Sequence, residues 1–182
     1  MLTLLEQFLN PHVNTRSDGY GGSAAARNRF VLEVAAAAVK AIGAERIGIR
    51  ISPYGVFNGT GEFADVDAQY QALVEQLSAL GLLYVHLLDH SAMGAPAVPA
   101  KVKAALRSAF KGPFILAGGF DGATAEKALV ENQADLIAIG RPFISNPDLV
   151  ARLQTHAALS EPDMSTFYTA DAKGYTDYPF LG

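Results

Sequence analysis

The sequence predicts an α/β fold with a parallel sheet, and three observations predict it. Short, almost continuous apolar runs alternate with longer segments of helical period. Clusters of Gly and Pro separate the two kinds of segment. Hydrophobic residues make up 50% of the 182 positions, enough for one compact domain spanning 1–182 with a real core. Strands of near-continuous apolar character are covered on both faces, as in parallel sheets.

The elements follow in order. Residues 1–9 read as a short helical or strand-end piece, and Asn10 to Gly22 as a polar loop. Ser23 is placed to cap a helix from Ala24 to about Ile42, stopped by Gly43. Its apolar positions Phe30, Val31, Val34, Ala38 and Ile42 recur at helical spacing. Residues 47–51 form a first buried strand, apolar apart from Arg50. A Gly-rich loop leads to a helix over 65–80, with Tyr70, Leu73, Val74 and Leu77 on one face. The second strand covers 82–88, and a loop over 90–98 precedes a helix over 99–110. Pro99 stands in its first turn, where a missing N–H costs little. A strand over 114–117, a helix over 122–132 and a strand over 136–139 complete four βα units. Asn146 is expected to cap a last helix from Pro147 to near His156, and the tail from Ser160 has no clear period.

Composition narrows the function. The net charge is −4 and no basic block stands out, which argues against nucleic acid as a partner. The absence of cysteine excludes disulfides, thiolate metal sites and Cys nucleophiles, and it suits a cytoplasmic protein. The first residues make a poor signal peptide. The most apolar run, Val34 to Ala44, is broken by Lys40 and too short to span a bilayer, so no membrane partner is expected.

In parallel α/β folds ligands collect at the carboxyl ends of the strands. The third strand is followed by Ala117-Gly118-Gly119-Phe120 and the fourth by Gly140-Arg141-Pro142-Phe143. Glycines at such turns let backbone N–H groups approach an anion, with a helix N-terminus behind them. Arg141 adds a forked, permanently charged donor for phosphate oxygens. The plain alternative is that these glycines only make tight turns.

Arg50 is a charge inside an apolar strand, costly unless paired or facing a ligand. It either pairs with Asp89 or Glu33, or stands beside an electron-accepting ring and stabilises the charge that ring gains on reduction. His86 reads as a satisfied core histidine. Phe167, Tyr168, Tyr175, Tyr178 and Phe180 make the tail aromatic, either packing over the barrel mouth or stacking on a ligand. No Ser-His-Asp set is legible, and no His pair has metal-ligand spacing.

Five segments carry a resemblance: Gln7 to Ser23, Arg46 to Phe57, Ile115 to Phe120, Ile139 to Leu153 and Thr166 to Pro179. Together, and in this order, they resemble the old yellow enzyme family, in its N-ethylmaleimide reductase and ene-reductase branch. The resemblance implies a TIM (β/α)8-barrel that binds FMN non-covalently, here as about four βα units, a C-terminal half-barrel. It implies reduction of FMN by NAD(P)H and hydride transfer to an activated alkene. Carried onto this chain, Arg50 matches the arginine beside the flavin pyrimidine. Ala117, Gly118, Gly119, Gly140 and Arg141 match the phosphate site, and Phe167 and Tyr168 match aromatic tail residues near the flavin.

There are departures. The His-Asn or His-His pair that grips the substrate carbonyl in relatives has no counterpart here, and Thr3 aligns with the tyrosine proposed as proton donor. A threonine hydroxyl is a poor general acid, so no catalytic residue is assigned. Ala25 and Ala26 replace a Glu-Asn pair, which is expected to loosen a structural hydrogen-bond cluster. Half a barrel leaves open sheet edges and a bare inner face, so a homodimer or a separate N-terminal half-barrel is expected to complete it. Three readings follow: an FMN-dependent reductase half, a non-catalytic FMN- or phosphate-binding module, and an aldolase- or epimerase-like barrel. The last lacks a catalytic Lys or paired carboxylates at its strand ends.

Overall fold

In the computed structural model, which describes residues 4–182, four parallel strands form one sheet in chain order. They are β1 (Gly48–Ile51), β2 (Tyr84–Leu88), β3 (Phe114–Ala117) and β4 (Leu136–Ala138). The helices are α1 (Leu4–Leu9), α2 (Ala24–Ile42), α3 (Val66–Ala79), α4 (Ala100–Ala109), α5 (Gly122–Val130), α6 (Arg141–Ser145) and α7 (Leu149–Thr155). Thr3 lies outside the described residues.

Local chemistry sets the long elements. The Ser23 hydroxyl accepts from the Ala26 amide at 3.3 Å and starts α2. Gly43, at φ 92°, ends it with its N–H on the Val39 carbonyl. Arg27 is buried and donates to both carboxylate oxygens of Asp65, at 3.0 and 2.8 Å, and to Gln69. The hydrogen-bond cluster therefore holds α2 to α3 even with alanine at 25 and 26.

The register assigns the two sheet faces. Arg50, His86, Ile115 and Leu136 are successive partners across the four strands, and in-register neighbours share a face. The other face carries Ile49, Ile51, Val85, Leu87, Phe114 and Leu116, all buried. They join Val31 and Ala35 of α2, Leu73 and Leu77 of α3, and Val102 and Leu106 of α4 in one core. The expectation of strands covered on both faces is thus met on one face only. Arg50 is exposed and Leu136 is 54% exposed, because a four-stranded arc has nothing within the described residues to fill its concave side.

The fourth unit also departs from expectation. Residues 141–145 form α6, and the next helix starts at Leu149 rather than Pro147. Asn146 caps nothing ahead of it: its side-chain amide donates back to the Pro142 carbonyl at 2.8 Å and to the Ser160 carbonyl at 3.0 Å. Among the described residues no helix is long and apolar enough to cross a membrane.

Candidate functional site

The carboxyl ends of β3 and β4 lie side by side, because Ala117 and Ala138 are register partners. Neighbouring strands run about 4.8 Å apart, so the two glycine turns open on one edge. Gly118 and Gly119 leave β3 at φ 123° and 69°, values that side chains disfavour. A Cβ on Gly118 would overlap the Asp89 carbonyl. Among the described residues the amides of Gly118, Gly119 and Phe120 find no backbone acceptor. The turn therefore keeps its backbone donors unspent, the condition for binding an anion.

Gly140 follows β4 and faces open space where a Cβ would stand. Arg141 opens α6 and is exposed, free to reach an anion on that edge. The expected dipole of the helix behind the Gly-Gly turn is a different matter. Asp121 accepts the Thr124 amide at 2.8 Å and donates its own amide to the Thr124 hydroxyl at 2.9 Å, a capping box. The Thr124 hydroxyl and amide hold the Asp121 carboxyl below its usual range. The N-terminus of α5 thus already carries a carboxylate, so the turn amides and Arg141 are left as the anion donors.

Arg50 stands on the open face and forms no ion pair among the described residues. Both partners suggested by the sequence are engaged elsewhere. Asp89 takes Lys103 at 2.7 Å, and Glu33 takes the Tyr20 hydroxyl at 2.9 Å. His86, its strand partner, is not a satisfied core histidine: its Nε2 is buried with no hydrogen-bond partner. Burial first, then the Arg50 charge, pushes its pKa down and favours the neutral ring. His90 Nδ1 is likewise orphaned, and its ring meets Phe57 edge-on at 4.9 Å.

Tyr54 is among the residues that follow β1 at the carboxyl end of the sheet, and the sequence assigned it no role. It follows β1 with a left-handed backbone at φ 67°, and its buried hydroxyl donates to Asp67. Strained non-glycine residues cluster at functional sites. The only hint in the sequence is the punctuation Pro53-Tyr54-Gly55.

The tail is anchored away from the sheet. Arg152, buried, donates to the carbonyls of Ala158 at 2.9 Å and Pro179 at 2.8 Å. Asp148 accepts the Leu181 amide at 2.6 Å. Phe167 is half-buried, whereas Tyr168 is 96% exposed, so its ring does not pack over the sheet. A groove of about 840 Å³ between α4 and the loop after α5 is lined by Lys103, Arg107, Gly112 and Asp135 among others. Lys103 and Arg107 are spent on Asp89 and Asp135, Lys111 donates to the Ser108 carbonyl at 3.0 Å, and Gly112 and Asp135 border the amino ends of β3 and β4. The chemistry of the carboxyl edge lies elsewhere.

A profile of the NADH:flavin oxidoreductase / NADH oxidase family matches residues 3–160. The chain belongs to this family. Within the NADH:flavin oxidoreductases it is 42% identical over 181 residues to 12-oxophytodienoate reductase 2 of Arabidopsis thaliana, covering 98% of this chain and 48% of that protein. It is 44% identical over 184 residues to the chanoclavine-I aldehyde reductase of Penicillium roqueforti, covering 97% and 50%. The solved structure of morphinone reductase superposes with a TM-score of 0.93 at 42% identity, over 98% of this chain and 48% of that one. The chain spans about half the length of the relatives it matches. Its four βα units are a segment of the TIM-barrel architecture, as the old yellow enzyme resemblance implies. FMN is the cofactor of these oxidoreductases, with NAD(P)H as reductant. The residues present suit it: a glycine-only turn with free amides, a neighbouring arginine, and an unpaired cation on the concave face.

Proposed function

We propose that this chain supplies the phosphate-binding half of an FMN site in an NAD(P)H-dependent ene-reductase. The observation that carries the reading is the pair of adjacent turns, Ala117-Gly118-Gly119 with unspent amides and Gly140-Arg141 with an exposed guanidinium. The amides and Arg141 would hold the phosphate. Arg50 would stabilise negative charge on the pyrimidine edge of the ring. Phe167 and Tyr168, which the family resemblance sets near the flavin, would border the mouth of the site only after the tail turns toward the sheet, since here Tyr168 is 96% exposed. The flavin held there would supply hydride chemistry between NAD(P)H and an activated alkene.

The open sheet face and both bare sheet edges call for four further βα units before a barrel closes. In the matched relatives the remaining half of the length lies in the same polypeptide, which favours an N-terminal half-barrel over a second copy as the complement. A second reading, a flavin- or phosphate-binding module without turnover, is favoured by one observation: the free donors gather at the phosphate edge, while among the described residues the polar groups of the concave face are Arg50, Tyr84 and the orphaned His86.

The visible spectrum of the purified chain after FMN addition and desalting tests the first step. Retained flavin absorbance is expected, and weaker retention in Arg141→Ala. Unchanged retention in that variant removes the phosphate assignment. NADPH and 2-cyclohexenone then separate the two readings. The chain alone is expected to show little or no turnover, and addition of an N-terminal half-barrel of the family to restore it. Turnover by the chain alone at the rate of a full-length reductase contradicts the need for a complement.

A further inference from the structure

Asp89 is the residue against which the anion turn is built. Its amide donates to the Ala117 carbonyl at 2.8 Å, and its carbonyl fills the space where a Gly118 side chain would stand. Ala92, three residues on, faces Gly119, with 3.1 Å between its Cβ and the site of a Gly119 Cβ. The shape of the turn after β3 is thus moulded by the loop after β2. That loop is held by the Asp89 carboxylate. One oxygen accepts the Ser91 amide at 2.9 Å, and the other accepts the Val98 amide at 3.3 Å and Lys103 at 2.7 Å. Asp89 is 5% exposed and the Lys103 side chain 27%. The pair is shielded enough to matter, unlike most surface ion pairs.

We propose that the Asp89–Lys103 pair is a positioning element for the phosphate turn. It fixes the loop at 89–98, and the loop's backbone fixes Gly118 and Gly119 in the conformation that leaves their amides free. Neither residue needs to touch the ligand. Lys103 has its ammonium committed to Asp89, so it acts through the loop rather than as a second phosphate cation. The inference rests on the reading of the turn as a phosphate site, and names a residue pair that tunes it.

Binding of FMN and of riboflavin by the same chain measures the phosphate contribution separately from ring binding. In Asp89→Asn and in Lys103→Met, FMN affinity is expected to fall on the order of tenfold, with riboflavin affinity unchanged. A loss shared equally by both ligands marks a merely structural role and overturns the proposal, as does an unchanged FMN affinity. A wild-type chain that binds FMN no better than riboflavin removes the phosphate reading itself, and this inference with it. A flavin-free measurement guards against variants that bind neither. The amide and Cα resonances of Gly118 and Gly119 should move or broaden in Asp89→Asn while those of Val85 and Leu87 hold. Unmoved glycine resonances overturn the proposal whatever the flavin does.

Discussion

The Tyr70 hydroxyl donates to Glu6 at 2.6 Å, inside the molecule, and so joins α3 to α1 at the carboxyl end of β1. The second Glu6 oxygen accepts the Ser52 amide at 2.7 Å. One buried carboxylate thereby fixes the exit of the strand that bears Arg50.

Tyr70→Phe should destabilise the fold by about 1–3 kcal/mol, the cost of leaving a buried acceptor unsatisfied. The ring itself is retained, so no cavity opens. Urea unfolding, with the slope unchanged and the midpoint lowered, checks this.

Burial raises the pKa of Glu6 above its ordinary 4.5, outweighing the bonds from Tyr70 and Ser52. A raised folded pKa means the contribution of Glu6 is fully present below about 4.5 and is lost as pH climbs through the folded value. Glu6→Gln removes the charge, keeps one oxygen to accept the Ser52 amide, and can only donate its NH2 to the Tyr70 hydroxyl oxygen. Its stability relative to wild type should therefore rise as pH increases from about 4 to about 7. A difference in unfolding free energy that stays flat over that window contradicts the burial argument.

Gly118→Ala should cost about 1–3 kcal/mol from backbone strain at φ 123°, besides the clash with the Asp89 carbonyl. Each kcal/mol lowers Tm by about 2–4 °C for a chain of this size. Gly140→Ala meets open space and should melt within a degree or so of wild type. Differential scanning of the two variants side by side is the measurement.

Asp135 behaves in the opposite sense from Glu6. The Arg107 guanidinium, reinforced by the Phe114 amide at 2.8 Å, lowers its pKa to about 2. Its contribution is present above the ordinary 3.8 and is lost as pH falls toward about 2. Asp135→Asn should therefore lose most stability relative to wild type at neutral pH, and the difference should shrink as pH falls from about 3.8 toward about 2. An acid titration followed by circular dichroism reads it.

Much of this architecture was legible in the residues themselves. The apolar runs placed all four strands to within two residues, since β-branched and aromatic residues between Gly and Pro have few other uses. The stripe Tyr70, Leu73, Val74 and Leu77 marked α3 and is its buried face. Arg50 was conspicuous because a strand rarely carries a lone guanidinium. Other features were hidden for physical reasons. The helix α6 is barely more than one turn, and a single turn has no periodicity to read. Asn146 suits either end of a helix, and only the carbonyls of Pro142 and Ser160 decide which way its amide faces. His86 looked like a core residue because alternation reveals which face a side chain takes, not whether anything covers that face.

Strand order equal to chain order has a further consequence. Every βα unit leans chiefly on the units before and after it, as in a modular array, and no later segment is threaded between earlier ones. Another unit can be added at either margin without dismantling what is already laid down. Recombination between related genes at any of the intervening loops would thus exchange whole steps of the architecture while leaving the remaining steps intact.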